Sequence, residues 1–274
     1  MENLNAILKR MSYHAVFDET IIEALKFALD NGFAGIQLAD EVPHLSFENL
    51  SKKEITEIQK FIEKNNIYIS IHAPDNATSL FQYSKFLKNG ILRYYNALFS
   101  FAENIHTKII TIHAGNIATY RTDTIPEELI PAKDKAILYK TFQKNLDELL
   151  RLAQDRFFLC IENYKLDQEL LNLLHPYLNN GDIYLCWDIA KSYRRPEIES
   201  YFLDNIRFIR QVHLHDFQYL DGKVSSSHRV IGTGEINFKY YLSKLKDADI
   251  LDYCIEVRPK EKAKESLERL KLIL

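Results

Sequence analysis

Seven side chains able to bind a metal ion or move a proton close six short apolar runs of the chain: His72, His113, Glu162, Asp188, His213 with His215, and Glu256. Two positions before the ends stand Ser70, Thr111, Cys160, Cys186, Gln211 and Cys254, and between them lie Ile71, Ile112, Ile161, Trp187, Val212 and Ile255. In an extended strand alternate side chains share a face, so each run has one small or polar face that ends in a potential ligand and one bulky apolar face. A lone His or acid at a strand end is usually a hydrogen-bonded structural residue. Six in the same register point instead to a common cup. Carboxylates crowded there without a cation would repel and suffer large pKa shifts, and a divalent ion relieves both problems. Mixed imidazole and carboxylate donors suit zinc or manganese better than calcium or magnesium, so one or two ions of that kind are the expected cofactor. The three cysteines sit one layer below the ligands, where a small apolar filler fits.

The segments between these runs read as helices. Ile21, Leu25, Ala28 and Leu29 share a helical face before Ile36-Gln37-Leu38, and Ile55, Ile58 and Ile62 precede Tyr68 to His72. A helix around Ile91 to Ala102 precedes Ile109 to His113, and Leu138, Phe142, Leu146 and Leu149 precede Phe157 to Glu162. The same step repeats into Ile183 to Asp188, Arg210 to His215 and Tyr253 to Glu256, and an amphipathic helix over Ala263 to Leu274 closes the series. With a weakly marked first strand near Leu8 to Ser12, the pattern gives eight strand-helix pairs. Such alternation implies a parallel sheet, and eight repeats favour an α/β fold of one (β/α)8 TIM barrel spanning residues 1–274. Two long loops, Ala114 to Asp134 and Phe217 to Ile236, fall on the face where barrel active sites lie and are candidate lids. Gly232-Thr233-Gly234 follows no apolar strand and reads as a turn rather than a dinucleotide site.

Composition agrees with one large globular core: 274 residues, 46% hydrophobic and 27% charged, with only 8 Gly and 7 Pro. A formal net charge of −3 offers no global field for nucleic acid or an anionic membrane. No long apolar run marks a leader or a membrane span, so the expectation is a cytoplasmic protein with reduced cysteines.

These residues resemble the xylose isomerase-like TIM-barrel superfamily, which includes sugar isomerases and epimerases and the endonuclease IV type of abasic-site nuclease. The resemblance runs from Gly32-Phe33-Ala34-Gly35-Ile36 to Ile255-Glu256-Val257-Arg258-Pro259. Ile71-His72-Ala73-Pro74, Ile112-His113-Ala114-Gly115-Asn116, Ile161-Glu162-Asn163, Trp187-Asp188, Val212-His213-Leu214-His215-Asp216 and Ile231-Gly232-Thr233-Gly234-Glu235-Ile236 carry it between those ends. It implies that Glu162, Asp188, His213 and Glu256 ligate a shared metal, and that His72 and His113, with Glu162 bridging, build a second metal site or hold substrate hydroxyls. The chain departs from the nuclease branch at Lys191 and Ser226, where that branch carries ligands of a third ion, and keeps only His228. Gln37 stands where many sugar isomerases have Glu.

The resemblance implies a metal-dependent isomerase or epimerase of a sugar-like polyhydroxy carbonyl compound. Its substrate is a small sugar or sugar phosphate, and the assembly is open to a homo-oligomer. In that chemistry the metal chelates a carbonyl and neighbouring hydroxyl, while catalytic Glu162 and Glu256 exchange a proton at the adjacent carbon. Lys191, His215, His228 and Arg258 would hold substrate oxygens, and Arg194 or Arg195 could meet an anionic group. The alternatives are endonuclease IV-like hydrolysis of abasic DNA, and a lyase or dehydratase using the same enolate chemistry.

Overall fold

The computed structural model describes residues 6–75, 77–116, 130–193, 195–220 and 223–274. The side chains of residues 220, 223 and 225 also lie outside the description. In chain order the elements are β1 (Met11–Ala15), α1 (Ile21–Asp30), β2 (Gly35–Ala39), α2 (Lys52–Asn65), β3 (Tyr68–His72), α3 (Lys85–Asn104) and β4 (Ile109–Ile112). There follow α4 (Ala132–Ala153), β5 (Phe158–Glu162), α5 (Gln168–Asn180), β6 (Tyr184–Asp188), α6 (Ile189–Ser192), α7 (Pro196–Asp204) and β7 (Ile209–Leu214). The chain ends with β8 (Asp216–Leu220), β9 (Lys223–Arg229), α8 (Phe238–Leu245), β10 (Asp252–Ile255) and α9 (Lys260–Ile273).

Eight parallel strands close in the order β1-β10-β7-β6-β5-β4-β3-β2, and β8 and β9 form a separate antiparallel pair. The expected barrel is therefore the observed one. Local signals set its helices: Thr20 caps α1 by accepting from Glu23 N, Ser51 and Glu54 form a capping box on α2, and Asp167 caps α5. No helix among the described residues is long and apolar enough to cross a membrane.

Strand alternation divides the interior in two. Ile71, Ile112, Ile161, Trp187, Val212 and Ile255 are all fully buried against the helices. Ser70, Thr111, Cys160, Cys186, Gln211 and Cys254 are equally buried on the inward face. Below the mouth that inward face is a polar network around Asp252. Its Oδ1 accepts from Ser12 Oγ at 2.6 Å and Tyr68 OH at 2.8 Å. Its Oδ2 accepts from Ser70 Oγ at 2.8 Å and Gln211 Nε2 at 2.6 Å. Donors from β1, β3 and β7 thus meet one carboxylate of β10, tying strands across the barrel. The cysteines are free and buried, and burial pushes their thiols up, as neutral fillers require.

Two expectations need correction. The first strand runs over Met11–Ala15, not Leu8 to Ser12, because the residues through Leu8 take a helical turn before the chain extends. The stretch from Phe217 to Ile236 is not an open loop but contains the β8/β9 hairpin. Its return is the Gly232-Thr233-Gly234 turn, wrapped on the buried Asp216 carboxylate. Gly232 N and Gly234 N donate to Asp216 Oδ2 at 3.0 and 2.7 Å, while Phe217 N and Ile236 N donate to Oδ1 at 2.9 and 3.2 Å. A Cβ on Gly234 would collide with the Phe217 carbonyl and that carboxylate, so glycine is required there. The other candidate lid falls largely on residues 117–129, outside the described residues.

Replacing Asp252 by Ala would leave the hydroxyls of Ser12, Tyr68 and Ser70 and the Gln211 amide without their buried acceptor. The expected loss is roughly 3–5 kcal/mol of unfolding free energy, measured by urea denaturation. A loss below about 1 kcal/mol would show that the network does not hold the strands.

Candidate metal centre

The strand register stacks the ionisable groups at one mouth. Thr111 pairs with Cys160, which sets His113 level with Glu162 in adjacent strands, and Asp188 pairs directly with His213. His72 pairs with Thr111 and Glu162 with Cys186, each two residues short of the next group, a stagger that follows from strand tilt in a closed barrel. Side chains far apart in sequence therefore converge.

Glu162 is at the centre and has no solvent exposure. Its Oε2 lies 3.1 Å from His72 Nε2, 3.0 Å from His113 Nε2 and 3.3 Å from His213 Nδ1, and its Oε1 accepts from Lys191 Nζ. His213 Nδ1 is also 3.5 Å from Glu256 Oε1, while the Gln37 amide lies 3.0 Å from its Nε2. One imidazole nitrogen thus approaches two carboxylates, from the ends of β5 and β10, with the other nitrogen beside the Gln37 amide. Asp188 reaches the cluster through cations: its Oδ2 is 3.0 Å from Lys191 Nζ and 3.3 Å from His215 Nε2. The local cause is helix capping. Asp188 Oδ1 accepts from Lys191 N at 3.1 Å at the start of α6, and that short turn folds the Lys191 side chain back over Asp188 and Glu162.

The electrostatics follow from this geometry. Burial opposes charge on Glu162, but Lys191, His113 and His213 outweigh it and hold the carboxyl well below its usual range. Burial likewise opposes ionisation of Glu256, which His213, Lys191 and His14 hold well below normal. Asp188, pulled by Lys191 and His215 against burial, comes down to about 2. Burial disfavours the charged imidazole of His72, yet Glu162 prevails and raises it to about 9. His213 and His215 are raised for the same reason, and Lys191 stays well above its ordinary value between its two carboxylates. Ionised carboxylates are thus compensated by the chain's own cations.

Of the remaining expected residues, His228 and Arg258 lie beside the same cluster. His228 stacks on His215 with ring centroids 4.2 Å apart, and its Nδ1 lies 2.9 Å from the Glu256 carbonyl oxygen. Burial lowers its pKa, as does His215 beside it. Arg258 directs NH2 to His14 Nδ1 at 3.2 Å. Arg195 is engaged elsewhere, donating to the Leu166 carbonyl at 2.7 Å and lying 3.6 Å from Glu197, whereas Arg194 lies outside the described residues.

Two residues that sequence reasoning passed over belong to the centre. His14 at the end of β1 is 5% exposed, with Nδ1 3.4 Å from Glu256 Oε1, and burial keeps it well below its ordinary pKa. Asp75 has Oδ1 3.2 Å from His113 Nδ1 and 3.6 Å from His72 Nδ1, placing a further carboxylate beside both rings, while His72 Nδ1 meets the Ala73 carbonyl at 2.9 Å. The alternation Ser12-Tyr13-His14 repeats the polar-in pattern of Ser70-Ile71-His72 and would have found the first.

A divalent ion fits these donors. His213 Nδ1, Glu256 Oε2 and His113 Nδ1 are buried without a hydrogen-bond partner among the described residues. Ligand atoms lie within 4.8 Å of one another in the sets His72-His113-Glu162, His72-His213-Glu256, Glu162-Cys186-His213 and His215-His228-Glu256, none of which includes Asp188. Imidazole nitrogen with carboxylate oxygen is a donor set suited to zinc or manganese.

Comparison with known proteins agrees with this architecture. The family model described as xylose isomerase-like TIM barrel matches residues 25–273. No curated protein matches the chain in sequence. A D-tagatose 3-epimerase-like protein has a similar solved structure, with TM-score 0.76 at 20% identity over 96% of each chain. The IOLI protein with a binding zinc atom gives 0.72 at 15% identity, again over 96% of each chain. Endonuclease IV from Thermus thermophilus gives 0.68 at 18% identity over 96% of this chain and 98% of its own. At such identities the likeness shows the fold.

Zinc or manganese added to metal-stripped protein at 100 times Kd is expected to raise Tm by roughly 5–10 °C in differential scanning fluorimetry. His213→Ala should remove most of that rise. An equal rise in the variant would put the ion outside the cup.

Proposed function

The chain belongs to the xylose isomerase-like TIM barrel family, and on that premise we propose that it is a divalent-metal-dependent isomerase or epimerase of a sugar-like polyhydroxy carbonyl compound. The observation that carries this reading is the pair of buried carboxylates, Glu162 and Glu256, that both approach His213 Nδ1, at 3.3 and 3.5 Å. Two bases beside one ligand nitrogen suit proton transfer to and from a carbon held there.

Glu162, Asp188, His213 and Glu256 would hold the catalytic ion, and His72 and His113 with Glu162 offer a second position. A bound divalent ion supplies Lewis acidity, polarising the carbonyl and offsetting the negative charge left when the neighbouring proton departs. One glutamate would take that proton while the C–H electron pair moves toward the carbonyl oxygen, and the other, ionised at rest, would relay a proton drawn from solvent to the carbon as that electron pair returns. Each is base in one direction and acid in the other. Lys191, His215, His228 and Arg258 supply donors for substrate oxygens. Lys191, whose Nζ contacts both Glu162 and Asp188, would be released toward the substrate if a divalent ion were held by those carboxylates.

A second reading, hydrolysis of a phosphodiester in abasic DNA, draws on the His72-His113-Glu162 set within 4.8 Å. The net charge of −3 and the presence of Lys191 and Ser226 at third-ion positions weigh against it. A lyase acting on the same enolate chemistry shares every residue of the first reading.

Ketoses incubated with the metal-loaded protein in deuterated water should gain deuterium at the carbon next to the carbonyl, read by NMR. Glu256→Gln should slow that exchange roughly 10²–10⁴-fold while metal analysis still finds an ion bound. Cleavage of abasic DNA without any exchange would overturn the isomerase reading.

A further inference from the structure

Beside the ligand cup is a cleft of about 560 Å³ lined by Ser226, Ser227, His228, Arg229, Val230, Thr233, Arg258, Lys262 and Glu265. It opens between the β8/β9 hairpin, which follows the seventh barrel strand, and the first turns of α9, which follows the eighth. Its charge is lopsided. Arg229, Arg258 and Lys262 form no ion pair with a carboxylate among the described residues, and the lone acid, Glu265, is already paired with Arg269 at 3.0 Å.

The two guanidinium groups are also short of acceptors. Arg229 donates to Gln218 Oε1 at 3.0 Å, Ser226 Oγ at 3.2 Å and the Thr233 carbonyl at 3.3 Å, and among the described residues Arg258 meets only the His14 ring, at 3.2 Å. In both, Nε is buried and has no partner among the described residues. A buried guanidinium N–H left unpaired is costly, and a multivalent oxyanion is the ligand that satisfies it. The hydroxyls of Ser226 and Ser227 add neutral donors at the same wall.

We propose that this cleft binds the phosphate group of a phosphorylated sugar whose carbonyl end lies over Glu162 and Glu256. The cleft joins the cup through two connections: His228 lines it and has Nδ1 3.7 Å from Glu256 Oε2, and Arg258 is two residues beyond Glu256 on the same strand exit. In (β/α)8 barrels generally, the end of the sheet between the loops after strands seven and eight is a frequent phosphate position, and the start of a helix there adds a favourable dipole. Exclusion of a free sugar is not required; the phosphate adds binding energy remote from the reacting carbon, which the protein can use to orient that carbon. The proposal rests on the isomerase reading for its substrate class, but the anion site stands on the cleft alone.

The test has two arms on the metal-loaded protein. Calorimetry with inorganic phosphate reads the site directly, and deuterium exchange by NMR compares ketose phosphates with the corresponding free ketoses. Lys262 is exposed and without an ion pair among the described residues, so Lys262→Gln should fold normally. It is expected to weaken phosphate about tenfold, and to lower by about tenfold the ratio of kcat/KM for ketose phosphate to that for free ketose, mainly through KM. Arg229→Gln combined with Lys262→Gln should deepen both effects, with circular dichroism checking the fold. Phosphate binding unchanged in both variants, or wild-type kcat/KM for free ketoses equal to that for their phosphates, would overturn the proposal. If no ketose of either kind exchanges, the isomerase reading fails, and calorimetry still decides the site: binding lost in the variants upholds a phosphate cleft, and binding retained removes it.

Discussion

The centre depends on one constraint: the Glu162 carboxylate is wholly withdrawn from water yet remains ionised. A buried anion is tolerable only when opposite charge and hydrogen bonds surround it, and here they come from other strand ends and from α6. His72, His113, His213 and Lys191 all exist at this spot because Glu162 does. The same arrangement prepares the mouth for a divalent ion, since the carboxylates are already ionised and gathered, while the imidazoles of His72 and His213, whose pKa values Glu162 raises, would release protons as the ion binds.

Register is what turns sequence distance into proximity. The closed sheet fixes how far each strand rises, the buried Asp252 network pins β1, β3, β7 and β10 below the mouth, and the apolar outward face locks each strand against its helix. Asp216 does comparable work for the hairpin, gathering four backbone N–H groups from β8 and the turn after β9, the strand whose His228 reaches Glu256. Stability and site geometry are therefore the same set of bonds viewed from two ends of the strands.

Much of this was legible in the sequence because a period of two is hard to disguise: Ser70-Ile71-His72 or Cys160-Ile161-Glu162 announces both the inward face and the end of the strand. The barrel followed from counting such units. What escaped had a physical reason in each case. The first strand is preceded by a helical turn, so placing it three residues early hid His14. Asp75 lies beyond the strand, where alternation carries no information. The hairpin within Phe217 to Ile236 has few apolar residues in β9, Lys223-Val224-Ser225-Ser226-Ser227-His228-Arg229, so hydrophobic alternation does not mark it as a strand. Lys191 reads in the sequence as a group for substrate oxygens, but its contact with Glu162 arises from the cap on α6, a three-dimensional event that spacing alone does not encode.

The convergence of Glu162, His213 and Glu256 on one ion is tested most directly by anomalous diffraction from crystals grown with zinc or manganese. The expected result is a strong peak about 2.0–2.2 Å from His213 Nδ1 and from carboxylate oxygens of both glutamates. Peaks confined to surface residues, with none among these three side chains, would contradict it.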